Sequence, residues 1–223
     1  MLVLNLAHRL TGNYGASIIC LTLLVRLAIH PLNRVAQGSM MTSSEKMKRL
    51  QPRLDELKKR HKNNARKLME EQSKVMKEEG MSPFSTLGGC LPMLLQMPIM
   101  ISLYRALQSA IELRGTPFCL WIGDLAKPDT VASVAGFPIN PLPVALIGVT
   151  VWQMWRAPKP ADPQMAQQQK MMMFVMPVMF GFMFYSMPAG ITLYWFTSTS
   201  FSITEQWHIR RGLVAKGLIP AKR

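Results

Sequence analysis

The sequence predicts an all-α polytopic membrane protein with five transmembrane helices and a cytoplasmic helical hairpin. Hydrophobic residues make up 49% of the 223 residues and charged residues only 17%. Charge-free runs recur along the chain at lengths near the roughly 20 apolar residues that a bilayer span needs. The net charge of +14 is concentrated in a few segments beside those runs. This placement favours a membrane protein over a soluble nucleic-acid-binding domain, so we expect no specific nucleic-acid partner.

The first two elements follow from leucine spacing and from one apolar run. Residues 1–13 are predicted to form an amphipathic helix along the membrane interface, because Leu2, Leu6 and Leu10 share one face beside Arg9. Residues 14–33 form the first predicted transmembrane helix, and Arg26 is the only Lys, Arg, Asp or Glu among them.

The next segment, residues 34–82, is predicted to be a basic cytoplasmic hairpin of two amphipathic helices. Apolar residues recur at helical spacing on either side of a break at Asn63-Asn64, namely Met47, Leu50, Leu54 and Leu57 before it and Leu68, Val75 and Met76 after it. Two interpretations remain open. The hairpin is either a solvated connector or a basic surface that meets lipid headgroups, a ribosome or a partner protein.

The remaining spans follow from the other charge-free runs. The run from Met171 to Thr204 is too long for one span, and Pro188-Ala189-Gly190 in its middle has turn chemistry, which divides it in two. The predicted order is a second transmembrane helix at 83–112, an external loop at 113–140, a third transmembrane helix at 141–155, a cytoplasmic loop at 156–171, a fourth at 172–187, a fifth at 188–207 and a basic cytoplasmic tail at 208–223.

The distribution of basic residues predicts the orientation. All but five of the 26 Lys and Arg residues lie in the hairpin, in the loop at 156–171 and in the tail, the exceptions being Arg9, Arg26, Arg105, Arg114 and Lys127. Cytoplasmic segments carry an excess of Lys and Arg, so this pattern places the N-terminus outside and the tail in the cytoplasm.

Arg26 is costly to hold within an apolar span, on the order of 2.5–3.5 kcal/mol at a bilayer centre. The predicted spans contain no Asp or Glu except Glu112 and Glu205, which lie at the ends of the second and the fifth. We therefore expect Arg26 to have no permanent counter-ion in the protein and to meet water or a transient partner. Thr22 lies four residues earlier, on the same helical face.

These residues resemble the YidC/Oxa/Alb family of membrane-protein insertases. The resemblance covers nearly the whole chain in order. The matching motifs are Asn13-Tyr14-Gly15-Ala16-Ser17, Val25-Arg26, Gly88-Gly89-Cys90-Leu91-Pro92, Gln96-Met97-Pro98-Ile99, Leu120-Trp121-Ile122, Met176-Pro177, Pro188-Ala189-Gly190 and Leu193-Tyr194-Trp195. The family's Gram-negative members also carry an N-terminal span and a large periplasmic domain without a counterpart in these residues.

The resemblance implies an insertase, which is not an enzyme and has no catalytic, cofactor or metal site. It implies that the five helices surround a polar groove open to the cytoplasm and to lipid, with Arg26, Thr22, Gln96 and Trp195 as the substrate-binding positions. The implied partners are nascent membrane-protein substrates and the lipid bilayer of a bacterial inner membrane, with the Sec translocon and the ribosome as further candidates.

Methionines on two predicted spans suggest a second surface for substrates. Flexible, polarizable side chains suit a promiscuous apolar binding face, and the family is thought to slide substrate helices along these spans. The predicted hydrophobic slide consists of Met93, Met97, Met100, Met172, Met176, Met179 and Met183. Ordinary packing or lipid contact explains these methionines almost as well.

One functional alternative remains from the sequence. An intramembrane protease or an ion-coupled transporter would need Ser/His pairs or carboxylates in the interior of the spans, and the sequence places none there. An anion channel or transporter that uses Arg26 is the alternative, and it predicts a path across the membrane that is open to both sides.

Arg105 is predicted to point away from the groove because it lies nine residues after Gln96, which is about half a turn around the helix.

Overall fold

A computed structural model describes residues 2–61, 64–80, 97–98, 101–102, 104–105, 114–157 and 163–220. Most of these residues are helical. The elements are α1 (Leu2–Thr11), α2 (Tyr14–Arg60), α3 (Ala65–Glu78), β1 (Ala132–Val134), β2 (Phe137–Ile139), α4 (Pro141–Arg156), α5 (Pro163–Tyr185) and α6 (Ala189–Ala215). The predicted second transmembrane helix falls almost entirely outside the described residues.

The long helix α2 begins at a side-chain cap. Asn13 Oδ1 accepts hydrogen bonds from the backbone N–H groups of Gly15 at 2.8 Å and Ala16 at 3.1 Å, which are donors that a helix start leaves unpaired. Within the described part of the chain, α2 is the one helix with the length and apolar composition to cross a membrane.

Helix α2 does not end at residue 33, where the sequence analysis places the end of the first span. It continues unbroken to Arg60, so the first hairpin helix is an extension of the same element. The apolar residues end near residue 32, but no turn sequence follows them. Backbone hydrogen bonding therefore continues after the hydropathy changes.

Two further predicted boundaries differ from the observed helix bounds. Helix α5 begins at Pro163, within the predicted cytoplasmic loop, and α6 extends to Ala215, so the first part of the predicted tail is helical. The end of α6 lies close to Gly217, whose φ of +68° is a left-handed conformation typical of a helix C-terminus.

The described chain divides into two compact units. The first unit comprises Met1–Pro31, Gln96–Ala157 and Met172–Glu205, and the second comprises Leu32–Leu95, Pro158–Met171 and Gln206–Arg223. The core of the first unit contains residues from α2, α4, α5, α6 and the loop before β1. Its buried members are Ile18, Ile122, Leu125, Leu142, Leu146, Phe184, Ala189, Ile191, Leu193 and Tyr194.

Residues 114–140 of the first unit cap the ends of several of its helices. The side-chain amide of Asn13 donates to Phe118 O at 2.8 Å, and the N–H of Gly190 donates to Leu125 O at 2.9 Å. Asp129 Oδ2 accepts from the N–H of Leu142 at 2.7 Å. This segment thus pairs backbone groups at the starts of α4 and α6 and is tied to the start of α2.

The same segment departs from the all-α prediction by a small β-hairpin. Strands β1 and β2 pair antiparallel, with Ala132 opposite Ile139. Ala135 and Gly136 form the turn with φ of 50° and 83°, the left-handed pair that a tight hairpin turn requires.

Asp124 carries a perturbed carboxyl group in this segment. Burial opposes its charged form, but hydrogen bonds from the backbone of Ala126 and Gly115 and the ammonium of Lys127 outweigh that effect. Together they lower the pKa of Asp124 below its ordinary value of 3.8. The Ala126 N–H lies 2.9 Å from Asp124 Oδ1, so the carboxylate closes a local turn.

The second unit contains the hairpin made by the end of α2 and α3. Its buried residues are Leu50, Leu54 and Val75, against which Met47, Leu57 and Met76 pack. Asn64 caps α3 by accepting from the N–H of Lys67 at 3.1 Å. The apolar residues identified by helical spacing thus include all members of this cluster.

Candidate functional site

Two helices of the first unit carry matching rows of polar residues. On α2, Thr22, Arg26 and His30 are spaced four residues apart and share one face. On α6, Ser198 and Glu205 are seven residues apart, which is about two turns on one face. Hydrogen bonds join the two rows at two levels.

The first level is the contact between Arg26 and Ser198. Arg26 Nε donates to Ser198 Oγ at 2.9 Å, and Nη2 of the same guanidinium donates to the same oxygen. Ser198 is buried and Arg26 is half-buried. A hydroxyl group carries no net charge, so Ser198 orients the guanidinium without neutralising it.

The second level is the pair of His30 and Glu205. His30 Nδ1 lies 2.6 Å from Glu205 Oε1. The side chain of Glu205 is 1% exposed and that of His30 is 39% exposed. When Glu205 is ionised, His30 must carry a proton on Nδ1 to donate to it. The histidine thus satisfies a buried carboxylate that would otherwise be costly.

The expectation that Arg26 lacks a permanent counter-ion does not hold. Glu205 is buried in the same unit and attracts Arg26 electrostatically. From the sequence, Glu205 is set apart from Arg26 because it lies at the very end of the last predicted span. The packing of α6 against α2 instead brings this carboxylate into the interior.

Of the predicted groove residues, Thr22 and Trp195 have contacts of other kinds. Thr22 is fully buried, and its hydroxyl donates to Ile18 O of its own helix at 2.6 Å. Trp195 is half-buried, and its ring centre lies 5.3 Å from that of Phe184 and 5.8 Å from that of Phe180. Gln96 lies outside the described residues. The assignment of Arg26, Thr22, Gln96 and Trp195 to a substrate groove remains a prediction.

The methionines of the predicted slide are in part accessible. Met97, Met172 and Met179 are exposed, whereas Met176 and Met183 are half-buried, and Met183 packs on the core of the first unit. Met93 and Met100 lie outside the described residues.

Three large hydrophobic residues on α5 are more exposed than its exposed methionines. Phe174, Val178 and Phe182 recur every four residues and form an accessible apolar face. Beside it lies an apolar cavity of about 380 Å³, lined by Ile147, Pro177, Val178, Gly181, Phe182 and Tyr185. Helices α4 and α5 come close here, since a Cβ on Gly181 would lie 2.7 Å from Ile147 Cδ1.

Arg105 is helical and exposed in the structure. In the described part of the chain, no group of three or more His, Cys, Asp or Glu residues could hold a metal ion.

Sequence reasoning missed Ser198 and His30 as site residues and misjudged Glu205. The available signal was the spacing of polar residues within an apolar run. Tyr194, Ser198 and Glu205 lie four and seven residues apart, so they share a face on α6 in the same way that Thr22, Arg26 and His30 do on α2.

Comparisons with known proteins identify relatives over nearly the whole chain. Residues 6–216 match the family described as 60Kd inner membrane protein. The chain is 42% identical over 212 residues to the membrane protein insertase YidC of Ralstonia nicotianae, covering 95% of this chain and 35% of the relative. It is 41% identical over 204 residues to that of Polynucleobacter asymbioticus, covering 92% and 33%.

A solved structure is also similar. The crystal structure of an active YidC insertase with its first transmembrane domain resolved matches with a TM-score of 0.63 and 26% identity, covering 90% of this chain and 43% of that chain. The chain spans about a third of the length of the two curated relatives.

Proposed function

The chain belongs to the 60Kd inner membrane protein family of bacterial inner membranes, and we propose that it acts as a membrane-protein insertase. In this role it moves nascent transmembrane segments and their short hydrophilic tails from the cytoplasm into the bilayer. Its relatives named as membrane protein insertases support this proposal, and the comparisons give no support to an anion channel.

The observation that carries the proposal is the half-buried guanidinium of Arg26, held in place by Ser198 inside the apolar first unit. Dragging a hydrophilic tail through hydrocarbon is costly because its polar groups lose their hydrogen bonds to water. A fixed positive charge in a low dielectric attracts acidic residues of that tail and holds them transiently. The apolar segment that follows then moves sideways into lipid, which supplies the driving free energy.

The proposed topology has five transmembrane helices around the polar site, with the N-terminus outside and the C-terminus in the cytoplasm. On this topology, residues 114–140 lie outside. Their hydrogen bonds to the starts of α4 and α6 support a site that is closed on that side. Leu6 and Leu10 are exposed on α1, as a helix lying on the outer membrane surface requires.

We propose that the accessible apolar face of α5 contacts the apolar segments of substrates. Met172 and Met179 lie on this helix together with Phe174, Val178 and Phe182, and all five are exposed. Flexible methionine side chains adapt to different partners, while the aromatic rings supply contact area. The predicted slide therefore extends to non-methionine residues.

The hairpin of the second unit supports a role in meeting cytoplasmic partners. It is rich in Lys and Arg, and its exposed ion pairs, such as Arg53 with Glu78 at 3.4 Å, contribute little to its stability. Nascent chains at a ribosome, the Sec translocon and anionic lipid headgroups are the proposed contacts of this surface.

The proposed function is tested by complementation of insertase-depleted cells and by insertion into vesicles that contain the purified chain. Arg26→Lys should retain part of the insertion of an acidic-tailed reporter, because it keeps the charge but loses the fork of donors that meets Ser198. Arg26→Ala combined with Glu205→Gln, which avoids a buried unpaired carboxylate, should lose most of it. Arg34→Ala, at an exposed position on α2, is the matched control.

Two results would count against the proposal. Full insertion of the acidic-tailed reporter by the Arg26 and Glu205 double variant would show that the charge has no role. Anion flux through vesicles that depends on Arg26, without any insertion, would favour the channel alternative.

A further inference from the structure

We propose that Glu205, fixed by His30, is the resident counter-charge of Arg26 and determines how strongly the site holds acidic substrate tails. The inference rests on the proposed insertase function and adds a specificity-determining pair to it. It requires that the carboxyl group of Glu205 be buried in the same part of the first unit as Arg26.

Two contacts within the first unit bring the buried Glu205 to the part of α2 that carries Arg26. His30 follows Arg26 by one helical turn, about 6 Å along the axis of α2. His30 Nδ1 is 2.6 Å from Glu205 Oε1, which holds the carboxylate at the residue one helical turn after Arg26. Ser198 holds Arg26 from the same helix that carries Glu205. One face of α6 therefore positions both the cation and its counter-charge.

The burial of Glu205 makes its charge effective. Its side chain is 1% exposed, so little water screens its field. A buried carboxylate persists only with partners, and His30 supplies one at 2.6 Å while the charge of Arg26 adds an electrostatic attraction. With His30 neutral, the charges of Arg26 and Glu205 sum to zero. Without Glu205, the site would carry one positive charge.

This arrangement has a consequence for the substrate. A carboxylate of an incoming tail is attracted by Arg26 but repelled by Glu205, so the site holds it less tightly than an isolated arginine would. Weaker retention suits a transient step, because the tail must leave the site as the apolar segment moves into lipid. Removing the charge of Glu205 should therefore strengthen the retention of acidic tails specifically.

The test uses Glu205→Gln in the full chain, reconstituted in neutral-lipid vesicles. Gln has nearly the same volume as Glu, and its amide oxygen can still accept from His30. Two single-span reporters differ only in their N-terminal tails, one with four Asp and the other with four Asn. A photo-reactive residue in each tail measures its retention by crosslinking.

The expected result is a rise in the ratio of acidic-tail to neutral-tail crosslinking by roughly three- to tenfold at low salt, which shrinks as salt is added. Glu205→Asp keeps the charge and should give a ratio closer to the wild-type value than Glu205→Gln does. Arg26→Gln combined with Glu205→Gln should abolish the preference for the acidic tail. Glu56→Gln, the same charge change at an exposed position of the hairpin, should leave the ratio unchanged.

Each other outcome overturns the inference. An unchanged ratio in Glu205→Gln would show that this carboxylate does not influence the tail. An equal loss of both reporters would show that Glu205 is needed only for folding. If the wild-type chain inserts neither reporter, the proposed function itself fails, which distinguishes that failure from a failure of this inference alone.

Discussion

Replacing Gly15 with alanine should destabilise the protein, although glycine-to-alanine changes within helices usually stabilise them. A Cβ at position 15 would lie 2.6 Å from Phe118 Cβ and closer still to two atoms of its ring. Phe118 Cβ is bonded directly to the backbone, so no rotamer change can move it away. The first turn of α2 or the loop that carries Phe118 must therefore shift.

The magnitude follows from what opposes this shift. Phe118 is held by its own N–H, which donates to Ile122 O at 2.9 Å, and by Asn13, which donates to Phe118 O at 2.8 Å. Overpacking costs about 1–3 kcal/mol, and losing the Asn13 hydrogen bond costs about 1 kcal/mol more. The gain in helix propensity offsets at most about 1 kcal/mol. The net loss is about 2 kcal/mol, or a fall in Tm of about 4–8 °C for a chain of this size.

The assay is thermal unfolding in detergent, followed by tryptophan fluorescence at one fixed scan rate, since unfolding of such proteins is often irreversible. Gly38→Ala is the matched control on the same helix, because a Cβ there would meet no atom within 4 Å. It should raise Tm by about 2–4 °C. If Gly15→Ala melts at or above the wild-type temperature while the control rises, the argument from the close contact with Phe118 is refuted.

Three further predictions concern other parts of the chain. Asp129→Ala should lower the free energy of unfolding by about 1–3 kcal/mol and expose the loop to protease, because the carboxylate accepts hydrogen bonds from the N–H of Leu142 and the indole of Trp121. Asp129→Asn keeps an acceptor and should lose less stability. Equal losses in the two variants would contradict this prediction. The pKa of Asp124 is lower in the folded than in the unfolded protein, so this carboxylate stabilises the fold above its unfolded pKa, and that stability disappears as the pH falls through the folded pKa. Asp124→Asn should therefore flatten the fall of Tm below pH 3.8. An unchanged slope would contradict the assignment. Leu54→Ala should leave a cavity in the small cluster of the second unit, at a cost of about 2 kcal/mol or more, and speed amide exchange in α3; unchanged exchange would show that this cluster does not hold the hairpin together.

The hairpin shows how far local patterns predict the fold. The helix that begins at Ala65 and the apolar residues that pack in the small cluster both follow from helical spacing within about 35 residues. The continuity of α2 through residue 33 is not predicted by these patterns, because the change from apolar to charged residues indicates the end of a membrane span and says nothing about the end of the helix. Hydropathy records what surrounds a helix and does not record where its hydrogen bonding ends.

The candidate site shows where local patterns stop. The sequence by itself determined that the chain is mostly helical, that apolar runs alternate with basic segments, and that Arg26 is a costly residue that needs a reason to be kept. These are properties of neighbouring residues, and composition, spacing and turn chemistry report them directly. The tertiary structure alone decided that Ser198 contacts Arg26 and that His30 contacts the buried Glu205. Those pairs join residues more than 170 positions apart, and which residues face each other across α2 and α6 depends on how the packed helices are rotated and shifted along their axes.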